Sequence, residues 1–292
     1  MYRSLGDAIR DAESQGKSLS EVALELESAD QGRSIEDIRG SLKRALVVMQ
    51  GAIGEGLAGD LRSASGLVGG DAAKLRNDAK GPLADTPFRD ILSRALAVQE
   101  VNAAMGVIVA APTAGGAGTL PAVLTGLAHA RGIPEEKVID ALATAGLVGA
   151  VIAERASLSG AEGGCQAETG AGAAMAAAAA TEMLGGTPAQ AGHAVALTMQ
   201  GMLGLVCDPL GGLVELPCVF RNATGAAIAL AGIEMALAGI TFAIPADEVI
   251  DVMGEIGREM DVRYRETAGG GLAATPTGRK LAKERLYQIR RS

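Results

Sequence analysis

The amino-acid sequence predicts an all-α protein, a single helical domain whose helices are joined by long Gly-rich connections. Three observations lead there. Apolar residues recur at helical spacing, as in Ile35, Ile38, Leu42, Leu46, Met49 and Ile53, which lie on one face of a helix. Helix-start signals recur along the chain: Ser18 with Glu21, Ser34 with Asp37 and Thr187 with Gln190 have capping-box spacing. No stretch alternates apolar and polar residues over a length that would make a convincing strand.

Taken in order, residues 1–45 read as a charged N-terminal helical segment. Between Gly54 and Leu83 the periodicity loosens, and SASGLVGGD at 63–71 is too rich in Gly, Ser and Asp for an uninterrupted helix. Apolar helix returns near Ile91 and is expected to run toward Ala110, where Pro112 ends it. The loop TAGGAGT follows at 113–119, and Pro121 opens the next helix. Further helices are expected to start at Pro134, Pro188 and Pro245, because proline suits the first helical turn. The alanine run 171–181 is expected to be a core helix, since alanine is the best helix former and lets neighbours approach closely. Residues 268–278 read as a mobile Gly-rich loop and 281–292 as a solvated basic tail, leaving 46–280 as the main domain.

Composition narrows the function. The formal charge of −8 and the 2% aromatic content leave neither the basic patch nor the stacking platforms that nucleic-acid binding requires. Residues 138–153 and 223–244 are long and apolar, but each carries a carboxylate, Asp140 and Glu234, and both are rich in Gly and Ala. They read as buried helices, so no membrane partner is expected. Residues 1–10 are polar and helical in pattern rather than a secretory leader, which points to the cytoplasm. Three cysteines, an odd number, do not form a disulfide framework.

Cys165, Cys207 and Cys218 are widely spaced and form no CxxC knuckle. Packing as buried thiols is the ordinary use of such residues. Their settings argue for more. Gly163-Gly164-Cys165 and Cys207-Asp208-Pro209 place two thiols at turns with little bulk, and Cys218 follows Pro217. Backbone amides at such turns and helix starts stabilise thiolates.

The stretches GGCQAETGAGAAMAAAA at 163–179 and CDPLGGLVELPCVFRNATGA at 207–226 resemble the alpha chain of the iron-sulfur L-serine dehydratases. The resemblance extends to SASGLVGGDAAKL at 63–75, PTAGGAGTLPAVL at 112–124 and GGGLAATPTGRKL at 269–281. It implies Gly-rich loops lining an iron-sulfur site, with a [4Fe-4S] cluster on Cys165, Cys207 and Cys218 and one open iron that has no protein ligand. It also implies elimination of water from L-serine, to pyruvate and ammonia, without pyridoxal phosphate. An oxygen-sensitive cytoplasmic enzyme follows.

Within that resemblance Thr113 and the amides of Gly115, Gly116 and Gly118 become candidates for an anion nest that holds the substrate carboxylate. The alternative is a plain helix connection. Ser63, Ser65 and Lys74 are candidates for substrate contact or for ordinary capping, and Arg221 and Asn222 for hydrogen bonds to cluster sulfides or to the carboxylate. His129 and His193 lie in ordinary helical settings and read as structural, so no base is found. The family's PSSSHT-type motif belongs to its beta domain and does not occur here, which implies a separate beta subunit. Two further readings stay open: an L-cysteine desulfidase of the same fold, and a non-catalytic helical protein whose cysteines pack or hold zinc.

Overall fold

The computed structural model describes residues 2–289. Among them are thirteen α-helices and no strand. The first three are α1 (Leu5–Gln15), α2 (Leu19–Gln31) and α3 (Ile35–Ala58); α4 (Asp71–Asn77) and α5 (Pro87–Ala103) follow. Next come α6 (Thr119–Arg131), α7 (Glu135–Arg155) and the short α8 (Gly160–Gly163). The remaining five are α9 (Ala171–Met183), α10 (Pro188–Met199), α11 (Cys218–Leu237), α12 (Ala246–Glu259) and α13 (Pro276–Ile289). None is long and apolar enough to cross a membrane.

The alanine run does what its composition requires. Residues 171–181 of α9 are buried throughout, and α9 packs against α6, α7, α10 and α11. A helix with a methyl surface on every side presents no bulk to hold neighbours away, so it can sit at the centre of a bundle. The N-terminal segment joins the same core: Leu5, Ala8, Leu19 and Val22 pack in one cluster with α7, α9 and α10.

Carboxylates from remote parts of the chain complete the helix starts. Ser18 with Glu21 and Thr187 with Gln190 form the reciprocal capping boxes read from sequence. Glu182 then accepts from the amides of Leu19 (2.7 Å) and Ser20 (3.1 Å) and from the Thr144 hydroxyl (2.9 Å), tying α2 to α9 and α7. Asp247 does the same for α1, accepting from the amides of Leu5 at 2.8 Å and Gly6 at 3.0 Å. An anion at the positive end of a helix, satisfying amides that no helical carbonyl can reach, favours each junction.

Three boundaries differ from the sequence reading. Helix α5 stops at Ala103 rather than near Ala110, because Met105 takes a left-handed φ of 64°. The amides of Met105 and Gly106 return to the carbonyls of Asn102 (3.0 Å) and Val101 (2.8 Å), a Schellman stop made without glycine at the left-handed position. Within 54–83, α3 continues to Ala58 and α4 forms from Asp71. Glu100, buried on α5, accepts from the amides of Gly70 (3.0 Å), Asp71 (2.6 Å) and Ala72 (3.1 Å) and so supplies the cap that the local sequence lacks. The Gly-rich segment near the C-terminus is fastened rather than loose: the Leu272 amide donates to Asp208 Oδ2 at 2.6 Å. Much of the expected basic tail is helical in α13, and residues 290–292 lie outside the described residues.

Candidate metal and substrate site

The three cysteines are free and buried, and each is delivered by a different kind of backbone. Cys165 follows Gly164, whose φ of 75° turns the chain out of α8. It opens a single π-helical stretch, Gln166–Gly170, that runs directly into α9. Cys207 lies on an extended segment: its amide donates to the Tyr264 carbonyl at 2.7 Å, and its carbonyl accepts from the Glu266 amide at 2.8 Å. Cys218 is the first residue of α11.

The thiols of Cys165 and Cys207 meet the carboxylate of Glu168, with one ligand atom of each within 4.8 Å of the others. Cys218 stands beside this group, close enough that the charge of Cys165 acts on it. The Cys165 and Cys207 thiols titrate as a pair. A hydrogen bond from Cys207, aided by the Arg221 charge, lowers Cys165, whereas sharing that proton and burial raise Cys207. Burial also raises Cys218. A buried guanidinium beside these thiols favours the charged form of the nearest one.

Arg221 is that guanidinium. Its Nη1 lies 3.5 Å from Cys165 Sγ and donates to the Val206 carbonyl at 2.8 Å, while Nη2 pairs with Asp208 Oδ1 at 2.8 Å. One side chain therefore links the segments that carry all three cysteines. Asn222, fully buried, is equally occupied. Its Nδ2 donates to the carbonyls of Gly115 (2.7 Å) and Cys218 (3.0 Å), and its Oδ1 accepts from the Gly118 amide at 2.9 Å. It clamps the 112–119 loop onto the first turn of α11. Close packing completes the junction: a Cβ on Gly225 would stand 2.7 Å from Thr169 Cγ2, so only glycine lets α11 lie this near the π-helical turn.

The other predicted residues divide. Thr113 is in the site, and its hydroxyl donates to Glu168 Oε1 at 2.8 Å and accepts from the Gly116 amide at 3.2 Å. With Gly118 held by Asn222 and Gly116 by Thr113, the Gly115 amide is the one of the three candidate donors that neither side chain engages. Ser63 and Ser65 are buried, but their hydroxyls are spent on Glu215. Ser63 Oγ donates to Oε2 at 2.6 Å, Ser65 Oγ donates to the same oxygen, and the Ser65 amide donates to Oε1 at 3.2 Å. They brace the loop between Cys207 and Cys218. Lys74 is exposed on α4 and pairs with Asp71 at 2.8 Å. His129 is in the last turn of α6, and His193 Nδ1 accepts from the Phe242 amide at 3.4 Å, so neither joins this cluster.

Sequence reasoning missed three acids: Glu168, Asp208 and Glu215. Only Glu168 had a usable signal, since a residue three positions after a cysteine on a helix shares its face. The roles of Asp208 and Glu215 depend on segments distant in sequence.

A donor set of two thiols, a carboxylate and a third thiol close by, all buried, suits a metal centre and has no evident use as packing. Comparison with known proteins agrees. The family model for the serine dehydratase alpha chain matches residues 14–273. A probable L-serine dehydratase alpha chain of Bacillus subtilis is 48% identical over 290 residues, 97% of this chain and 95% of the relative. The L-serine dehydratase alpha chain of Peptoniphilus asaccharolyticus is 39% identical over 94% of each chain. An L-serine dehydratase of Streptomyces coelicolor is 39% identical over 93% of this chain but only 60% of its own, longer length. With the motifs of the sequence assembled at one buried point and the family model covering most of its length, the chain belongs to the serine dehydratase alpha-chain family.

Proposed function

We propose that this chain is the alpha subunit of an L-serine dehydratase, that Cys165, Cys207 and Cys218 hold a [4Fe-4S] cluster, and that a separate beta subunit completes the active site. The observation that carries the cluster assignment is the meeting of the Cys165 and Cys207 thiols, distant in sequence, with Cys218 beside them and Arg221 tied both to Cys165 and to the segment of Cys207. The residues present fit the group: thiolates are its usual ligands, and a hydrogen-bonding cation beside one of them offsets the charge of the set. When bound, the cluster supplies a Lewis-acidic iron that makes hydroxide a better leaving group.

The chain's own residues orient the substrate. The Gly115 amide, on a loop fixed by Asn222, is placed to donate to the serine carboxylate, with Thr113 beside it. Arg221 holds the Cys165 side negative without a mobile counterion. In the elimination a base takes the α-proton, the C–H electrons form the double bond, and the β C–O bond breaks with loss of water. The aminoacrylate then tautomerises to an imine, which water hydrolyses to pyruvate and ammonia. Neither histidine of this chain joins the cysteine cluster, and in the family that the sequence resembles a PSSSHT-type motif lies in the beta domain, so we assign the base to the beta subunit. Exposed apolar residues on segments that lead into the site, Met105, Val107, Phe220 and Leu272, support a docked partner there.

The test is anaerobic purification with iron and sulfide analysis, followed by an assay of pyruvate from L-serine with the beta subunit added. About four irons and four sulfides per chain and serine-dependent pyruvate are expected. A colourless chain that takes up neither, even with its partner, overturns the cluster. Faster turnover of L-cysteine, releasing sulfide, would assign the desulfidase instead.

A further inference from the structure

Glu168 is the one acid among the thiols, and its surroundings are unusual. The side chain is 9% exposed. Its one hydrogen-bonded oxygen partner is the Thr113 hydroxyl, at 2.8 Å on Oε1. The Cys207 sulfur lies 4.0 Å from Oε2, and no Lys or Arg pairs with the carboxylate among the described residues. The other deeply buried acids have more donors or a cation: Glu100 takes three amides, Glu215 two hydroxyls and an amide, and Asp208 an ion pair with Arg221 and an amide. A buried carboxylate with one neutral donor is costly unless a cation completes it.

The backbone is shaped to put it there. The π-helical stretch Gln166–Gly170 gives up regular helical register at the head of α9, and Glu168 is its central residue. Two glycines clear the space around the carboxylate. A Cβ on Gly160 would stand 2.6 Å from Oε2 and 3.2 Å from Cys207 Sγ, and one on Gly115 would stand 3.1 Å from Oε2. Thr113 holds Oε1, which leaves Oε2 on the side of the sulfur.

We infer that Glu168 is a fourth protein ligand of the centre, its carboxylate retaining the iron that the three thiolates leave unliganded. This rests on the cluster assignment above. Carboxylate oxygen is a suitable ligand for iron, and it is more readily exchanged than thiolate, so it would keep that iron in place without closing the position to a substrate hydroxyl. Thr113 acts as a positioning residue through its bond to Oε1, a hydrogen bond to a ligand of the kind that tunes affinity.

Glu168→Gln preserves shape and removes the anionic ligand. After anaerobic reconstitution and desalting, the wild-type chain is expected to keep about four irons, and the variant about three with the EPR signal of a three-iron cluster. Release of one iron to a chelator should be about 10-fold to 100-fold faster in the variant. Thr113→Val, which keeps the carboxylate but not its anchor, should release it at an intermediate rate. It also serves as the test if the Gln variant does not fold by circular dichroism. A folded Glu168→Gln chain that holds its fourth iron at the wild-type rate, with an unchanged spectrum, overturns the assignment while leaving the three-thiolate cluster intact. A wild-type chain that binds no iron removes both.

Discussion

Residues 166–170 and 171–181 are two parts of one continuous helical rod, and both are buried, yet they are built on opposite principles. The second part is mostly alanine and touches its neighbours through methyl groups. The first carries Gln166, Glu168 and Thr169 in a π-helical turn. Gln166 donates to the Met253 carbonyl at 3.0 Å and accepts from the Gly204 amide at 2.9 Å. Burial of the alanines is favourable in almost any close-packed surrounding, whereas burial of each polar group is tolerable only with a particular partner supplied from elsewhere. The alanine part holds the bundle together, and the polar part uses that rigidity to keep chemical groups in register.

The contrast is broken most completely at Cys165. Cys165→Ser changes one atom in the polar part and little in packing, so the melting temperature should stay close to that of the similarly metal-free wild type. Iron binding and pyruvate formation should nevertheless be lost, because serine is a poor ligand for a cluster iron. Active Cys165→Ser enzyme with a full complement of iron would exclude the three-thiolate centre.

Asn222→Ala should damage both properties. Four side-chain hydrogen bonds at a fully buried position are lost, and the Gly118 amide and the Gly115 carbonyl are left without this partner. Deprivation of buried polar groups at about 1–3 kcal/mol each, partly relieved by loop movement, suggests a destabilisation of about 3 kcal/mol. Denaturant titration of the metal-free chain measures it. A rise in KM for serine should accompany it in the assembled enzyme, since the loop that presents Gly115 is released. A change within about 0.5 kcal/mol would mean that the clamp is not formed in solution.

In the alanine part the expected failure is steric. Ala176 is fully buried on α9, and Ala176→Leu inserts bulk where helices meet through methyl groups. Overpacking of this kind costs about 2 kcal/mol. Iron uptake under anaerobic reconstitution should be retained if the π-helical turn keeps its own partners. If iron is lost as well, the two parts of the rod are mechanically one unit and the contrast drawn between them fails.

The sequence exposed these two parts unequally. The all-helical class, the central alanine helix and two capping boxes follow from patterns local in the chain, and local patterns are visible. So were the three cysteines and, through the resemblance, the segments that surround them. The stop of α5 at Ala103 was hidden because Met105, not glycine, takes the left-handed position. Helix α4 was hidden because its cap, Glu100, is on another helix. Ser63 and Ser65 were open to substrate contact or ordinary capping, because their partner, Glu215, is far along the chain. Each miss concerns a polar group whose partner is remote, the class of interaction that periodicity and composition do not encode.

Lys74 provides the smallest effect and a control on the site's extent. It was a candidate for substrate contact, but in the structure its ammonium pairs with Asp71 one turn earlier and its side chain is 71% exposed. An exposed ion pair of this type contributes about 0–1 kcal/mol, since water screens the charges and both side chains lose freedom. The cap of α4 does not depend on it, because Glu100 takes the amides of Gly70, Asp71 and Ala72 directly. Lys74→Ala should therefore shift stability by less than about 0.5 kcal/mol and leave iron content, kcat and KM at wild-type values. A KM for serine raised about tenfold, with stability unchanged, would instead place Lys74 in the assembled site. That result would require the beta subunit to draw α4 toward the cysteines, a movement that the buried bonds of Glu100 and Glu215 oppose.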